Sequence, residues 1–486
     1  MDAASDRVDT PPASPRRGIT RRQALAAAVA TGVSVGAVRL LGSTMQKLSQ
    51  SHPASGTDWI SPLGSESARV MHLLRRTSYG YTDVELERAL SAGFNKTIDR
   101  LLETPPAEPP VLAAAATPGG RFPIAQLQQW WVNHLLSTPT PFAERMTLFW
   151  HGHFTSDYRR VAEHTFMYWQ NLTWRRMALT DLRGMLMQVT TDPAMLLYLD
   201  LATSTGKNPN ENYSRELMEL FTMGAGTFSE EDVRQGARAL AGWQEPRPDS
   251  FATVTVANNV TRKYPVFTSQ KAGVFNVKRA YNGAVTFLGQ SGSLDTQGVI
   301  DRILSQPSTA PFIAAKVAQQ FVSPQPDQGF VNRLAETFRR SKYDMKSLMH
   351  AVFTSNEFAA ASSYRALLKT PTEFMVHAAK ALGATAMSKV VVAAGSGMGQ
   401  SLFDPPDVNG WPTNAAWISS NTVIQRVNFV TAALTHAKAS LPSASDAVHR
   451  HLEGIVSPQT ANLFNQAKDE RSRWFITLAS PEFQLK

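Results

Sequence analysis

The sequence contains no cysteine. That excludes a disulfide framework, a thiolate zinc site, a cysteine-ligated iron–sulfur cluster and a cysteine nucleophile. Any metal would have to be held by His, Asp, Glu or carbonyl oxygens, a donor set suited to harder or borderline ions. Histidine is sparse as well, with 11 in 486 residues. The P-loop, G-x-S-x-G and H-E-x-x-H patterns are absent. The glycines of AAGSGMGQS follow no clear strand and lack the setting of a dinucleotide fold. No run is long and apolar enough to span a bilayer comfortably. A concentrated positive charge is missing too. The net charge is +9, but the first 50 residues hold seven Arg or Lys against three Asp, a net of +4. The remaining +5 is spread over the rest of the chain without a long basic run, so no nucleic-acid partner is expected.

What is present is apolar mass. An apolar fraction of 43% with ten Trp and 24 Phe can build a large core, and the length suits either two or three domains or one large helical body. The paired Arg21-Arg22 precedes a mild Ala/Val/Gly stretch from Ala24 to Val38. This order matches a bacterial twin-arginine export signal over residues 1–42, which places the protein in the periplasm or outside the cell. The plainer reading is a basic tail before an Ala-rich helix. Arg39 follows the apolar run and no clean cleavage site appears, so membrane contact is expected only through an uncleaved leader.

Residues 43–66 read as a linker, 67–436 as a helical body, and 437–486 as C-terminal helices packed on it. In the body, Thr82 and Glu85 form a capping-box pattern, and Ser229 heads a helix with acidic residues in its first turn. Helices are expected over 124–137, 141–150 and 160–188. Residues 246–290, containing FATVTVANNVTRKYPVF, read as a small β-hairpin-rich insertion with an Asn-Asn turn. The fold class expected is mainly α.

Three stretches concentrate chemistry. In HGHFTSD, Gly152 suggests that the helix ends there, letting His151 and His153 converge from a turn with Asp157 in reach. Such a set would bind a divalent metal; the plainer reading is that the histidines cap helix carbonyls. In NPNENYSRELMEL, amides, carboxylates and an arginine crowd a helix start. Glu211 or Glu216 would serve as ligand or general base, Arg215 would orient an anionic group, and Asn210 and Asn212 would bind substrate. The plainer reading makes Glu211–Arg215 a surface ion pair. In FDPPDVNGWP, the prolines stiffen a loop in which Asp407 and Trp411 would contact a substrate, with Trp411 and Trp417 placed to stack on a sugar; equally, the tryptophans would pin a packed loop. His72, His164, His350 and His377 lie in amphipathic helices and read as packing residues.

HLLRRTSYGYTDVELERAL, FWHGHF, NPNENYSRELMELFTMGAGTFSEEDVRQGARALAGW, FIAAKVAQQFV, KTPTEFMVHAAKALG and MGQSLFDPPDVNGWP occur in this order. Together, from about His72 to Arg426, they resemble the bacterial family known as domain of unknown function 1800. The resemblance implies a largely helical, exported protein. It also implies a partner from a second exported family, similar to sulfatases and alkaline phosphatases, whose genes lie nearby. Members tend to carry a His-Asp pair shortly before the Leu-Gly that corresponds to Leu288-Gly289; here KAGVFNVKRAYNGAVTFLG lacks it.

Two functions are therefore expected as alternatives. One is metal-assisted hydrolysis or oxidation of a polysaccharide-like envelope substrate in a cleft between HGHF and NENYSRE. The other is non-catalytic binding or assembly with the sulfatase-like partner.

Overall fold

The computed structural model describes residues 60–116, 122–256, 260–437 and 440–486. Arg21-Arg22, the rest of the leader, most of the linker and the Asn258-Asn259 turn lie outside them. Helices dominate. They begin with α1 (Glu66–Thr77), α2 (Asp83–Ala92), α3 (Phe94–Glu103), α4 (Ile124–Ser137), α5 (Pro141–His153), α6 (Tyr158–Val161) and α7 (His164–Met177). There follow α8 (Leu182–Thr191), α9 (Pro193–Tyr198), α10 (Asn212–Glu219) and α11 (Glu230–Leu240). After the strands come α12 (Thr296–Leu304), α13 (Thr309–Phe321), α14 (Gln328–Arg340), α15 (Met345–Phe353) and α16 (Asn356–Ala359). The chain then forms α17 (Pro371–Ala381), α18 (Ser388–Gly397), α19 (Ser420–His436) and four shorter helices between Ala444 and Gln484.

Many of the helices start where a side chain satisfies a free N–H group of the first turn. Thr82 accepts from the Glu85 amide at 3.3 Å while Glu85 Oε2 accepts from the Thr82 amide at 2.6 Å. Ser229 and Asp232 make the same reciprocal pair. The expected helix over 160–188 is instead two. The chain breaks after Met177, and Asp181 restarts it by accepting from the Gly184 amide at 2.8 Å. The helix that NENYSRELMELFTMG, residues 210–224, suggests is likewise short, covering only Asn212–Glu219.

The β insertion consists of three two-stranded antiparallel sheets. Trp243–Gln244 pairs with Val274–Phe275, Ser250–Val256 with Val260–Val266, and Val285–Phe287 with Gln290–Gly292. The last of these lies against α11. One apolar cluster runs from Leu73 to Leu485, and a small satellite holds Val70, Leu74, Tyr81, Leu86 and Ala89. Phe483 and Leu485 belong to the main cluster, and Leu368 and Leu485 form a bridge, so the last described helices close over the same core as the first. Among the described residues, no helix is long and apolar enough to cross a membrane.

Candidate functional site

The two histidines of HGHF share a helix and not a turn. α5 continues through His153, so the side chains are about 200° apart around its axis. Gly152 does not end the helix. The glycine the crossing requires is Gly410, on the loop after Pro405: a Cβ there would lie 2.2 Å from the Gly152 carbonyl oxygen, and Gly410 sits at φ +87°. The loop therefore crosses the last turn of α5 at the closest distance two backbones allow.

His151 faces inward. It is 3% exposed and packs among Trp131, Trp174 and Phe403. Asn171 Nδ2 donates to its Nε2 at 3.1 Å, and Asn171 Oδ1 accepts from Arg175 at 2.8 Å. Arg175 then clasps Glu144, which also accepts from Trp131 Nε1 at 2.8 Å and lies 3.3 Å from His134. Burial would push the Glu144 carboxyl up, but Arg175 and His134 overcome it and hold it down to about 2. Burial, helped by Arg175, lowers the His151 imidazole to about 3 and keeps it neutral. His151 thus terminates a buried hydrogen-bonded chain whose members compensate one another's desolvation.

His153 faces the opposite way and lines a cleft of about 160 Å³. Its Nε2 bonds the Phe221 carbonyl at 2.9 Å. A carbonyl only accepts, so Nε2 carries the proton and Nδ1 carries the lone pair. That Nδ1 is buried with no partner among the described residues, although the side chain is only 5% exposed. Burial and the nearby Lys316 ammonium hold the imidazole well below its usual value. Trp411 contributes a second orphan on the same cleft, its buried Nε1. Lys316, on α13, contributes a cation. It sits 5.0 Å over the Phe312 ring, has no ion pair among the described residues, and is lowered by burial. Gln319, Gln320, Gln400 and Asn414 add polar groups, and Lys486, already paired with Glu373, also lines it.

The remaining expected residues fall elsewhere. Asp157 caps α6, its Oδ1 accepting from the Arg159 amide at 2.8 Å, and it does not meet either histidine. Among the described residues no three His, Asp or Glu side chains are grouped so as to hold a metal ion. The set His151, His153 and Asp157 therefore does not form the ligand cluster expected of it: helical spacing separates its first two members.

Residues 210–216 are not the second wall of the cleft; the Asn409–Asn414 loop and α13 are. Asn210 Oδ1 accepts from the Asn212 amide at 2.9 Å, and Asn212 Nδ2 donates to Asp200 at 3.3 Å. Arg215 is held bidentately by Glu230 at 2.7 Å, with Glu211 at 3.6 Å. Its guanidinium is thereby committed to surface carboxylates. Glu216 has no hydrogen-bond or ion-pair partner among the described residues. Burial raises its carboxyl, Glu219 adds to the effect and Arg215 opposes it. Asp157, Asp407 and Glu216 lie within electrostatic reach of the buried Tyr198, whose hydroxyl is raised by burial first and then by Asp157, opposed by Arg160, with smaller upward effects of Asp407 and Glu216. Asp407 also shapes its own loop, Oδ1 accepting from the Asn409 amide at 2.7 Å.

Of the expected residues, then, His153 and Trp411 share the cleft. Lys316 was missed. Its signal was a lone cation in TAPFIAAKVAQQF, a helix without a carboxylate to pair it. The buried Glu144–Arg175 pair left no such trace. No curated protein and no solved structure matches the chain. A family model described as "Protein of unknown function (DUF1800)" matches residues 72–485, most of the chain, and the protein belongs to that family.

Proposed function

We propose that this protein is an exported binding protein whose cleft between the end of α5, α13 and the Asn409–Asn414 loop takes an acidic sugar. The observation that carries this reading is the cleft's unsatisfied chemistry. A buried acceptor (His153 Nδ1), a buried donor (Trp411 Nε1) and an unpaired Lys316 line one space. A buried polar atom without a partner is costly, and a ligand hydroxyl or carboxylate supplies the missing bond. An ammonium prefers an anion, and an indole offers an apolar face to a sugar ring. Export rests on the Arg21-Arg22 leader.

The test is calorimetry with glucuronate and with glucose on the full chain. Glucuronate is expected to bind at least about tenfold more tightly, and Lys316→Met to remove that preference, since a charge-assisted hydrogen bond is worth about 1.5–3 kcal/mol. Equal affinity for the two sugars, or an unaltered preference in Lys316→Met, would sink the reading. A hydrolytic role gains support from one observation: Glu216 is a half-buried carboxyl without a side-chain hydrogen-bond or ion-pair partner among the described residues, raised by burial. Release of reducing ends from an acidic polysaccharide, abolished in Glu216→Gln, is the outcome that reading requires.

A further inference from the structure

A second cavity, of about 420 Å³, lies at the N-terminal end of α5, between α1, α2, α3 and the Pro139–Ala143 segment. It is of a size that holds a small organic molecule. Leu74, Leu101, Pro105, Pro141 and Phe142 give it apolar walls. Two arginines, Arg88 from α2 and Arg100 from α3, also line it. Neither makes an ion pair or a side-chain hydrogen bond among the described residues. The carboxylate in the lining, Glu85, is already engaged: it accepts from the Thr82 amide at 2.6 Å and from Lys380 at 3.4 Å. Two like charges therefore face an apolar chamber whose lining carboxylate, Glu85, acts on Arg100 at a distance but forms an ion pair with neither arginine. They are close enough that Arg88 disfavours the charge on Arg100, after burial, which disfavours it more; Glu85 offsets part of this.

We infer that this chamber binds the free carboxylate of a medium-length acyl chain, with the chain against Leu74, Leu101 and Phe142 and the carboxylate between Arg88 and Arg100. The apolar walls reward methylene groups, and guanidinium forks match a carboxylate in shape as well as charge. An anion placed between the two cations adds two attractions that outweigh their mutual repulsion. A sugar acid would leave the apolar walls unused, and a neutral hydrocarbon would leave the arginines unpaired. This inference stands apart from the acidic-sugar cleft, with which it shares no lining residue.

The experiment is calorimetry of the full chain with decanoate, octanoate, decan-1-ol and acetate at low ionic strength. Decanoate is expected to bind more tightly than decan-1-ol by tenfold or more. Octanoate should be weaker by about fourfold for each of the two methylenes removed. Acetate should compete only at concentrations where salt itself would. Arg88→Gln, at an exposed position on α2, and Arg100→Gln should each erase the preference for the acid over the alcohol while leaving decan-1-ol binding unchanged. Arg88→Gln decides the matter even if Arg100→Gln does not fold. Failure of decanoate to bind, equal binding of acid and alcohol, or an intact acid preference in Arg88→Gln would each overturn the inference. Glucuronate should not displace decanoate, so failure at one site is distinguishable from failure at the other.

Discussion

At the scale of single residues, one spacing produces two unrelated histidines. Positions i and i+2 on a helix point to opposite sides, so one imidazole closes a buried network and the other opens onto a cleft. The two should respond differently to substitution. His151→Ala removes the acceptor of Asn171 Nδ2 and leaves a hole among Trp131, Trp174 and Phe403. A loss of about 2–4 kcal/mol is expected in urea denaturation. A midpoint unchanged from the parent protein would show that the network does not depend on His151. Lys316→Met, by contrast, should leave stability close to that of the parent, because the lysine has no ion pair to lose and its burial already disfavours the charge. The local chemistry of HGHF was legible in the sequence, but the direction of each ring was not. Direction depends on whether the helix stops at Gly152, and it runs on to His153.

At the scale of elements, the crossing of α5 by the loop around Gly410 sets the cleft. Gly410→Ala would bring a methyl group to 2.2 Å from the Gly152 carbonyl and strain a backbone at φ +87°. The expected result is a loss of about 1–3 kcal/mol and displacement of Trp411, read as at least tenfold weaker glucuronate binding. Normal binding and normal stability together would mean that the loop has another route. The helices themselves were largely readable. The Thr82–Glu85 box and the Ser229 cap are local chemistry, settled within four residues of sequence. The break at Asp181 was not read as a break, because the apolar period continues across it. There the chain turns so that the Leu182 amide can bond the Tyr343 carbonyl at 2.9 Å, a partner far away in sequence.

At the scale of the whole molecule, burial of histidines makes stability depend on pH. His72, His151, His153, His377 and His451 are all lowered, first of all by burial. A base lowered in the folded state stays neutral there while the unfolded chain takes up a proton. Each therefore contributes stability that is full above about pH 6.5 and is lost as the pH falls toward the folded value, about 3 for His151 and His451. Glu144, held down to about 2, adds its own loss below about pH 4.3. Asp192 works in the other direction. Burial raises it to about 7, so its contribution is fully favourable only below about pH 3.9 and fades as the pH rises through 7. Five histidines outweigh one aspartate, and each uncompensated proton is worth about 1.4 kcal/mol per pH unit. Urea midpoints should fall clearly between pH 7.5 and pH 5, before most carboxylates titrate. A midpoint equal or higher at pH 5 would contradict the buried, neutral state of these rings.

The sequence by itself determined the class of this protein. Its caps, its helical apolar period and its family-specific segments are short-range patterns, and they specify a mainly helical chain with a small β insertion. The tertiary structure decided which polar residues meet. Glu211, Arg215 and Glu230 gather on an exposed face, Glu144 finds Arg175 in the core, and His153 finds Lys316 and Trp411 across a cleft. Apart from the Glu211–Arg215 pair, which its i,i+4 spacing already offered, those meetings join residues well separated in the chain. They follow from how helices pack and where a glycine lets one backbone cross another, which no local spacing encodes.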